Sequence, residues 1–375
     1  MITTKPLTAS FTVLALVLVL TGCTAAGDPA ADPLVADNLP RIILEAPVRV
    51  PTGPTVGVSL PATDSPGELF ESGLPNADFR PMVLLANSVS EQKSQIKEMI
   101  DAGAEVIIIQ AIDGSGLVKE LASAKKAGIP VIAYNYLLRG SKNVNAFIAY
   151  GLCETGQAQA TSLLAGLAER SDGPYNVELI AGPSDDGNAK LFFDCAMQVL
   201  KPKINDGTVV VPSGQVKRQQ VSTPSWLAES MQKRLESILA EFYADNTPLD
   251  GILSPVDFLT RAAITTVEAA GRPAPIVTGG ESEEESVRWV ASGKQHSTLY
   301  RSTHTMVTEA ISLARQLHDG KKIAFTDTKT FNNGVKVVPA YLLYPVTVTQ
   351  ENVCTVYDPD TLAGRAAAET PLCQE

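Results

Sequence analysis

The sequence predicts an α/β protein built of two doubly wound parallel-sheet lobes. Three observations carry that prediction. Glu105–Leu138 reads as a strand–helix–strand unit. The same alternation precedes it and starts again after Tyr150. At 375 residues the chain is also too long for one ordinary core and suits two.

The Glu105–Leu138 unit opens with Val106-Ile107-Ile108-Ile109, a continuous apolar run suited to a parallel strand covered on both faces. Asp113-Gly114-Ser115-Gly116 breaks it with turn and capping residues. Leu117, Val118, Leu121, Ala122 and Lys125 follow with helical spacing, and Gly128 stands where a helix end needs positive φ. Pro130 then launches Val131–Tyr134 as the next strand. Ligands of open α/β sheets bind outside the carboxyl ends of the strands, so Gln110–Asp113 and Asn135–Arg139 are the first places to look for function.

Taken in order, Thr55–Leu60 is the first strand. Pro61–Pro81 is rich in proline and glycine, with only Glu68–Glu71 as a helical scrap, so the first crossover helix is expected to be shortened. Met82–Ala86 is a strand, Glu91–Ala102 an amphipathic helix, and Ala146–Tyr150 a strand after the βαβ unit. The second set alternates helices at 154–170, 188–200, 225–244 and 259–270 with strands at 177–181, 209–211, 251–253 and 275–278. Helix 283–292, strand 297–300, helix 306–319 and an extended stretch, 334–348, complete it.

The net charge of −11 argues against a nucleic-acid binder. At the N-terminus Lys5 precedes the apolar run Phe11–Leu20 and then Leu20-Thr21-Gly22-Cys23. That run is short for a bilayer span and reads as a cleaved signal over residues 1–22. The cysteine after small residues looks like a bacterial lipobox, which would make Cys23 the lipidated first residue of the mature chain. Residues 23–53, rich in Ala, Pro and Asp, read as a disordered tether.

Cys153, Cys195, Cys354 and Cys373 remain. Cys153 with Cys195 would tie two successive helices, and Cys354 with Cys373 would staple the tail at 351–375, but spacing leaves the pairing open. No CxxC occurs, and His296, His304 and His318 lack ligand spacing, so no metal or other cofactor is expected. Nor is there a GxSxG elbow, HExxH, P-loop or complete GxGxxG. Ser184-Asp185-Asp186 reads as an acidic helix cap rather than an acid pair. An enzyme is not expected.

At AIDGSGLVKELASAKKAGIPVIAY, at Ser141–Val144, and at GPYNVELIAGPSDDGNA, DGILSPVD and DTKTFNNGVKVVPAYLLYPV, the chain resembles the sugar-binding lipoproteins of bacterial ABC importers, which have the type I periplasmic-binding fold. Multiple-sugar-binding and xylose-binding proteins look most alike, over Thr55–Val348. The resemblance implies three chain crossings between the lobes. One lobe would then hold 54–149 plus 281–325, and the other 150–280 plus 335–350. It also implies a sugar or related polar small molecule bound between the lobes, an ABC permease as partner, a monomer, and an extracytoplasmic protein held at the cell membrane by its lipid.

Residue by residue, the family's Asp-Arg pair after the fourth strand falls on Asn135-Tyr136, and Asp-Asn at the first crossover falls on Gly151-Leu152. In the SPDDNN-type loop the second Asn is Asn188 and the first is Gly187, while a following aromatic is Lys190. Asp257 matches the family acid, Gly280-Glu281 stands for Gln-Asp, and Arg301 for a lysine. The implied ligand contacts are therefore Asn135, Tyr136, Asn188, Lys190, Asp257, Glu281 and Arg301. Lys190 in place of an aromatic points toward an anionic ligand, and Trp226, in an ST-x-x-W-like stretch, reads as packing. A second reading follows from the lost polar contacts and the thin first crossover: a degenerate binding fold serving as a sensor or protein-interaction module.

Overall fold

The computed structural model describes residues 52–63, 66–245 and 247–374. The expected signal at 1–22, Cys23 and nearly all of the 23–53 tether lie outside the described residues.

The first lobe begins with β1 (Thr55–Pro61), α1 (Gly67–Asn76), β2 (Arg80–Ala86), α2 (Val89–Asp101), β3 (Val106–Ile109), α3 (Val118–Lys126), β4 (Val131–Tyr134) and β5 (Ala146–Tyr150). The second follows with α4 (Leu152–Arg170), β6 (Tyr175–Leu179), α5 (Gly187–Asn205), β7 (Val209–Val210), α6 (Arg218–Val221), α7 (Ala228–Phe242), β8 (Gly251–Leu253), α8 (Asp257–Ala269), β9 (Ile276–Val277), α9 (Glu284–Ala291) and β10 (Thr298–Tyr300). Then come α10 (Thr303–His318), β11 (Ala340–Leu343), β12 (Val346–Val348) and α11 (Leu362–Ala368).

The first sheet is parallel throughout, in the order β11-β5-β4-β3-β1-β2. Side chains alternate across a strand, so the apolar run of β3 feeds two cores. Val106 and Ile108 face a core closed by Phe70 and Leu74 of α1 and by Met306–Ala314 of α10. Ile107 and Ile109 face the other, closed by Ile96 and Met99 of α2 and Leu121 and Ala124 of α3. The second sheet runs β7-β6-β8-β9, also parallel. A parallel bridge from Thr278 to Ser297 extends it to β10, which pairs antiparallel with β12. Helices α4 and α5 cover one face of this sheet, and α7 and α8 the other.

Three expectations need correction. The first crossover is a helix of ten residues, not a scrap at Glu68–Glu71. Phe70 and Leu74, four apart, bury one face of it completely, and Pro75 falls in the last turn, where the chain is about to leave the helix. The sheet face above α1 is therefore covered, which removes the thin cover on which the interaction-module reading rested. Second, 281–300 belongs with the second sheet, because β10 continues it and α9 packs beside it. Third, β11 within 335–350 completes the edge of the first sheet beside β5, where Ala340 and Leu342 join Phe147 in the core. Each stretch goes to the sheet edge that its strand completes.

The tail at 351–375 is folded in its described part. Val353, Tyr357, Ala363, Ala366 and Ala367 form a small core with Val287 and Val290 of α9, closed by the Cys354–Cys373 disulfide. A second disulfide, Cys153–Cys195, joins α4 to α5.

Replacing Phe70, which is fully buried edge-on against Tyr134 with ring centroids 5.4 Å apart, by alanine should cost about 3–5 kcal/mol in denaturant unfolding. A loss under about 1 kcal/mol would mean that α1 is not part of the first lobe's core.

Candidate functional site

Chain direction decides where a site belongs. β5 leaves the first sheet at its carboxyl end, Tyr150, and passes through Gly151 into α4. β10 leaves the second sheet at its carboxyl end, Tyr300, and passes through Arg301 and Ser302 into α10. A third crossing runs from β11 through Tyr344 and Pro345 into β12. The crossings lie side by side: the Gly151 N–H donates to the Leu343 carbonyl at 3.0 Å, and the Tyr150 hydroxyl to the Ser302 carbonyl at 3.0 Å. Both sheets are parallel, so the carboxyl ends of both sets of strands turn toward this hinge. That is the place where open α/β sheets bind ligands.

From the first lobe, β3 ends in Gln110–Asp113. This loop is pinned by the buried Gln92 of α2, whose amide donates to the Gln110 carbonyl at 2.9 Å and accepts from the Ile112 N–H at 3.1 Å. β4 ends at Asn135, whose φ of 62° lies in the left-handed region that asparagine tolerates. The Tyr136 N–H reaches back to the Tyr134 carbonyl at 2.7 Å, so Asn135 is the middle of a three-residue turn. Its side chain and that of Tyr136, the latter 56% exposed, stand free in solvent at the strand end.

From the second lobe, β6 leads to Gly182–Asp186. Asp186 caps α5, accepting from the N–H groups of Asn188 at 2.8 Å and Ala189 at 3.0 Å. Asn188 is exposed in the first turn. Lys190 is also exposed, but its ammonium is paired with Asp194 one turn on along α5. Trp226, which the sequence reading assigned to packing, is half-buried among these loops on left-handed backbone with φ of 57°. Its indole N–H donates to Asp186 at 3.3 Å, its ring meets Phe258 edge-on at 6.5 Å, and its edge covers Gly182, where there is no room for a Cβ. No periodic signal marks such a residue, because its surroundings come from the loop after β6 and from the first turn of α8.

Glu281 and Arg301 form a pair: the guanidinium donates to the carboxylate at 2.6 Å, with side chains 47% and 27% exposed. One follows β9 and the other ends β10, so the two hold the last strand ends of the second lobe together at the hinge. Asp257 is different. It is fully buried at the start of α8, and its carboxylate accepts from the Glu283 N–H at 3.0 Å, the Gln295 amide at 3.0 Å and the Thr298 hydroxyl at 2.9 Å. It has no exposed surface for a ligand in this arrangement. Its work is to tie the β9 and β10 ends from below. Gln159 of α4 does the same for the β8 and β9 ends, donating to the carbonyls of Pro255 at 2.7 Å and Gly279 at 3.1 Å. A separate groove of about 760 Å³ lies along α4 and β12, lined by Glu154, Glu169, His296 and Gln350, and includes none of the candidate contacts.

A family model described as the periplasmic binding protein domain matches residues 84–322. The chain belongs to the periplasmic binding protein family. Among relatives of this family member, the multiple sugar-binding periplasmic receptor of Rhizobium radiobacter is 40% identical over 71% of this chain and 77% of its own. The D-xylose-binding periplasmic protein of Escherichia coli K12 is 29% identical over 76% of this chain and 82% of its own. Of solved structures, an ABC transporter solute-binding protein from Clostridium phytofermentans with bound β-D-glucose is 33% identical. It covers 82% of this chain and 99% of its own, at a TM-score of 0.58.

Burial pushes the Asp257 carboxyl up to about 7, against the pull of its three donors. The unfolded value is about 4, so folding takes up a proton between the two. The stability this contributes is fully present below about pH 4 and is lost as pH rises through about 7. Thermal unfolding measured from about pH 5 to about pH 8 should therefore fall less steeply in Asp257→Asn than in the wild-type protein. Equal slopes would mean that the carboxyl does not titrate in this range.

Proposed function

We propose that this protein is an extracytoplasmic solute-binding lipoprotein that captures a sugar between its two lobes and delivers it to an ABC-type permease. Cys23 is its lipid anchor, and the folded part acts as a monomer. The observation that carries the reading is the Glu281–Arg301 pair at the strand ends of the second lobe; Trp226 and Asn188 follow other strands of that lobe, and Asn135 and Tyr136 follow β4 of the first. A sugar hydroxyl both donates and accepts, and a pre-formed carboxylate–guanidinium pair offers both functions at once. Asparagine amides do the same without charge, and the half-buried indole supplies an apolar face for the sugar's C–H surface.

The charges argue for a neutral ligand. Arg301 is already matched by Glu281, and Lys190 by Asp194, so neither cation is left over for a carboxylate or phosphate. The relatives support this choice: they are sugar-binding proteins, and the solved structure holds β-D-glucose. The ligand contacts of this reading are Asn135, Tyr136, Asn188, Trp226, Glu281 and Arg301, with Asp257 acting beneath them.

A calorimetric titration of the mature protein with D-glucose, D-xylose, D-glucuronate and glucose 6-phosphate tests it. The expected result is binding of a neutral sugar, with a matching rise in Tm, and weak or no binding of the two acids. Arg301→Ala should then weaken the sugar by roughly tenfold or more, the scale of a lost charged hydrogen bond. A flat titration across neutral sugars, with well-folded protein, would contradict the reading. Preference for either acid would contradict the neutral-ligand assignment.

A further inference from the structure

The loop that carries Glu281 is held in an unfavourable conformation. Glu281 has φ of 93° and Ser282 φ of 53°, two successive non-glycine residues in left-handed territory. Such backbone persists only where its surroundings over-determine it. The surroundings here are specific. The Ser282 N–H donates to the Thr298 hydroxyl at 3.1 Å, and the Ser282 hydroxyl donates to the Leu299 carbonyl at 3.1 Å. The Glu283 N–H is held by Asp257. The remaining bond comes from the tail: the Tyr357 hydroxyl donates to the Ser282 hydroxyl oxygen at 3.0 Å.

Tyr357 is well placed to hold that oxygen still. Only 9% of it is exposed, and its ring lies edge-on to Tyr300, the residue before Arg301, at 4.8 Å. It therefore touches both arms that present the Glu281–Arg301 pair, one by hydrogen bond and one by ring contact. The tail segment that carries it is fixed three ways. Cys354 is bonded to Cys373, Arg288 of α9 donates to Glu369 at 3.0 Å, and Val353, Ala363 and Ala366 pack on α9. The tail segment itself, from Val353 to Cys373, lies beyond residues 84–322, the part matched by the family model.

We propose that Tyr357, presented by the disulfide-closed tail, is a positioning residue for the Glu281–Arg301 pair, and that the tail thereby sets the affinity of the ligand site. This rests on the sugar-binding reading for its functional half. The structural half stands alone: the tail, through one hydroxyl, holds the left-handed Glu281-Ser282 step. The coupling runs through Ser282, whose hydroxyl also donates to the Leu299 carbonyl, so Ser282→Ala should loosen the step at least as much as Tyr357→Phe, and adding Tyr357→Phe to it should add little further.

The test compares wild type with Tyr357→Phe and Ser282→Ala, each as the full mature chain. In sugar-free protein, amide hydrogen exchange at Ser282 and Glu283 should quicken severalfold in both variants, with exchange in β1 and β3 unchanged. With D-glucose and D-xylose as probes, Tyr357→Phe should bind roughly three- to tenfold more weakly, the range for one neutral hydrogen bond, Ser282→Ala at least as weakly, and the double variant about as weakly as Ser282→Ala. A Cys354→Ser/Cys373→Ser variant should move exchange in the same direction. Unchanged exchange at Ser282 and Glu283 would overturn the positioning role. Faster exchange with unchanged sugar affinity would overturn the tail's control of the site. A wild-type protein that binds neither sugar would contradict the sugar-binding reading and the affinity half with it, while the exchange result would still decide the positioning half. If Tyr357→Phe fails to fold, the Cys354→Ser/Cys373→Ser variant decides, since it loosens the tail that carries Tyr357 and leaves Ser282 and its bond to Leu299 in place.

Discussion

The arrangement depends on one constraint: the chain crosses between two sheets at the carboxyl ends of their strands, three times, at one place. Gly151, Arg301-Ser302 and Tyr344-Pro345 are the crossings, and the bonds from Gly151 to Leu343 and from Tyr150 to Ser302 keep them adjacent. Because each strand in a parallel sheet points the same way, fixing where β5 and β10 leave also fixes where β3, β4, β6, β8 and β9 end. The candidate contacts scattered from Asn135 to Arg301 are brought to one region by that rule alone. Thin connections of this kind are also where lobes turn relative to each other.

Below the strand ends of the second lobe lies a polar layer that does not touch solvent. Asp257, Gln159, Thr260, Gln295 and Thr298 are all buried, and each bonds to a neighbouring loop or strand end. Polar groups at such depth cost free energy unless partnered, so the layer holds together only with its loops in register. That explains why a loop with two left-handed non-glycine residues can be kept at Glu281-Ser282. It also separates two kinds of residue: those that present groups to a ligand, and those that hold the presenting loops in place.

Much of the fold was legible. The apolar runs at β1, β3, β4 and β5 and the capping residues at Asp186 and Gly128 marked their elements directly, since burial on two faces and helix ends leave local signals. What failed was non-local. Prolines hid α1, because proline is read as a breaker wherever it stands, whereas one in the last turn removes little. Sequence order does not assign residues 281–300 and 340–343 to their lobes, because sheet membership depends on which edge a strand completes. Within the site, Glu281 and Arg301 come together as neighbouring strand ends. Asp257, equally visible as a carboxylate after a strand, is buried, and Lys190 is occupied by Asp194. Trp226 packs, as the sequence suggests, with its edge over Gly182, its ring against Phe258 and its indole N–H on Asp186. Tyr357 left no trace at all, since nothing in sequence links it to Ser282.

We propose that the two sets of strand ends close on one ligand by turning about the triple crossing. Small-angle X-ray scattering of the mature protein, without sugar and with D-glucose or D-xylose at saturation, tests this most directly. The expected result is a smaller radius of gyration and a shorter maximum dimension with sugar, and no such change in Arg301→Ala at the same sugar concentration. An unchanged scattering profile at a concentration that calorimetry shows to be saturating would contradict it, and would place binding on a single lobe rather than between two.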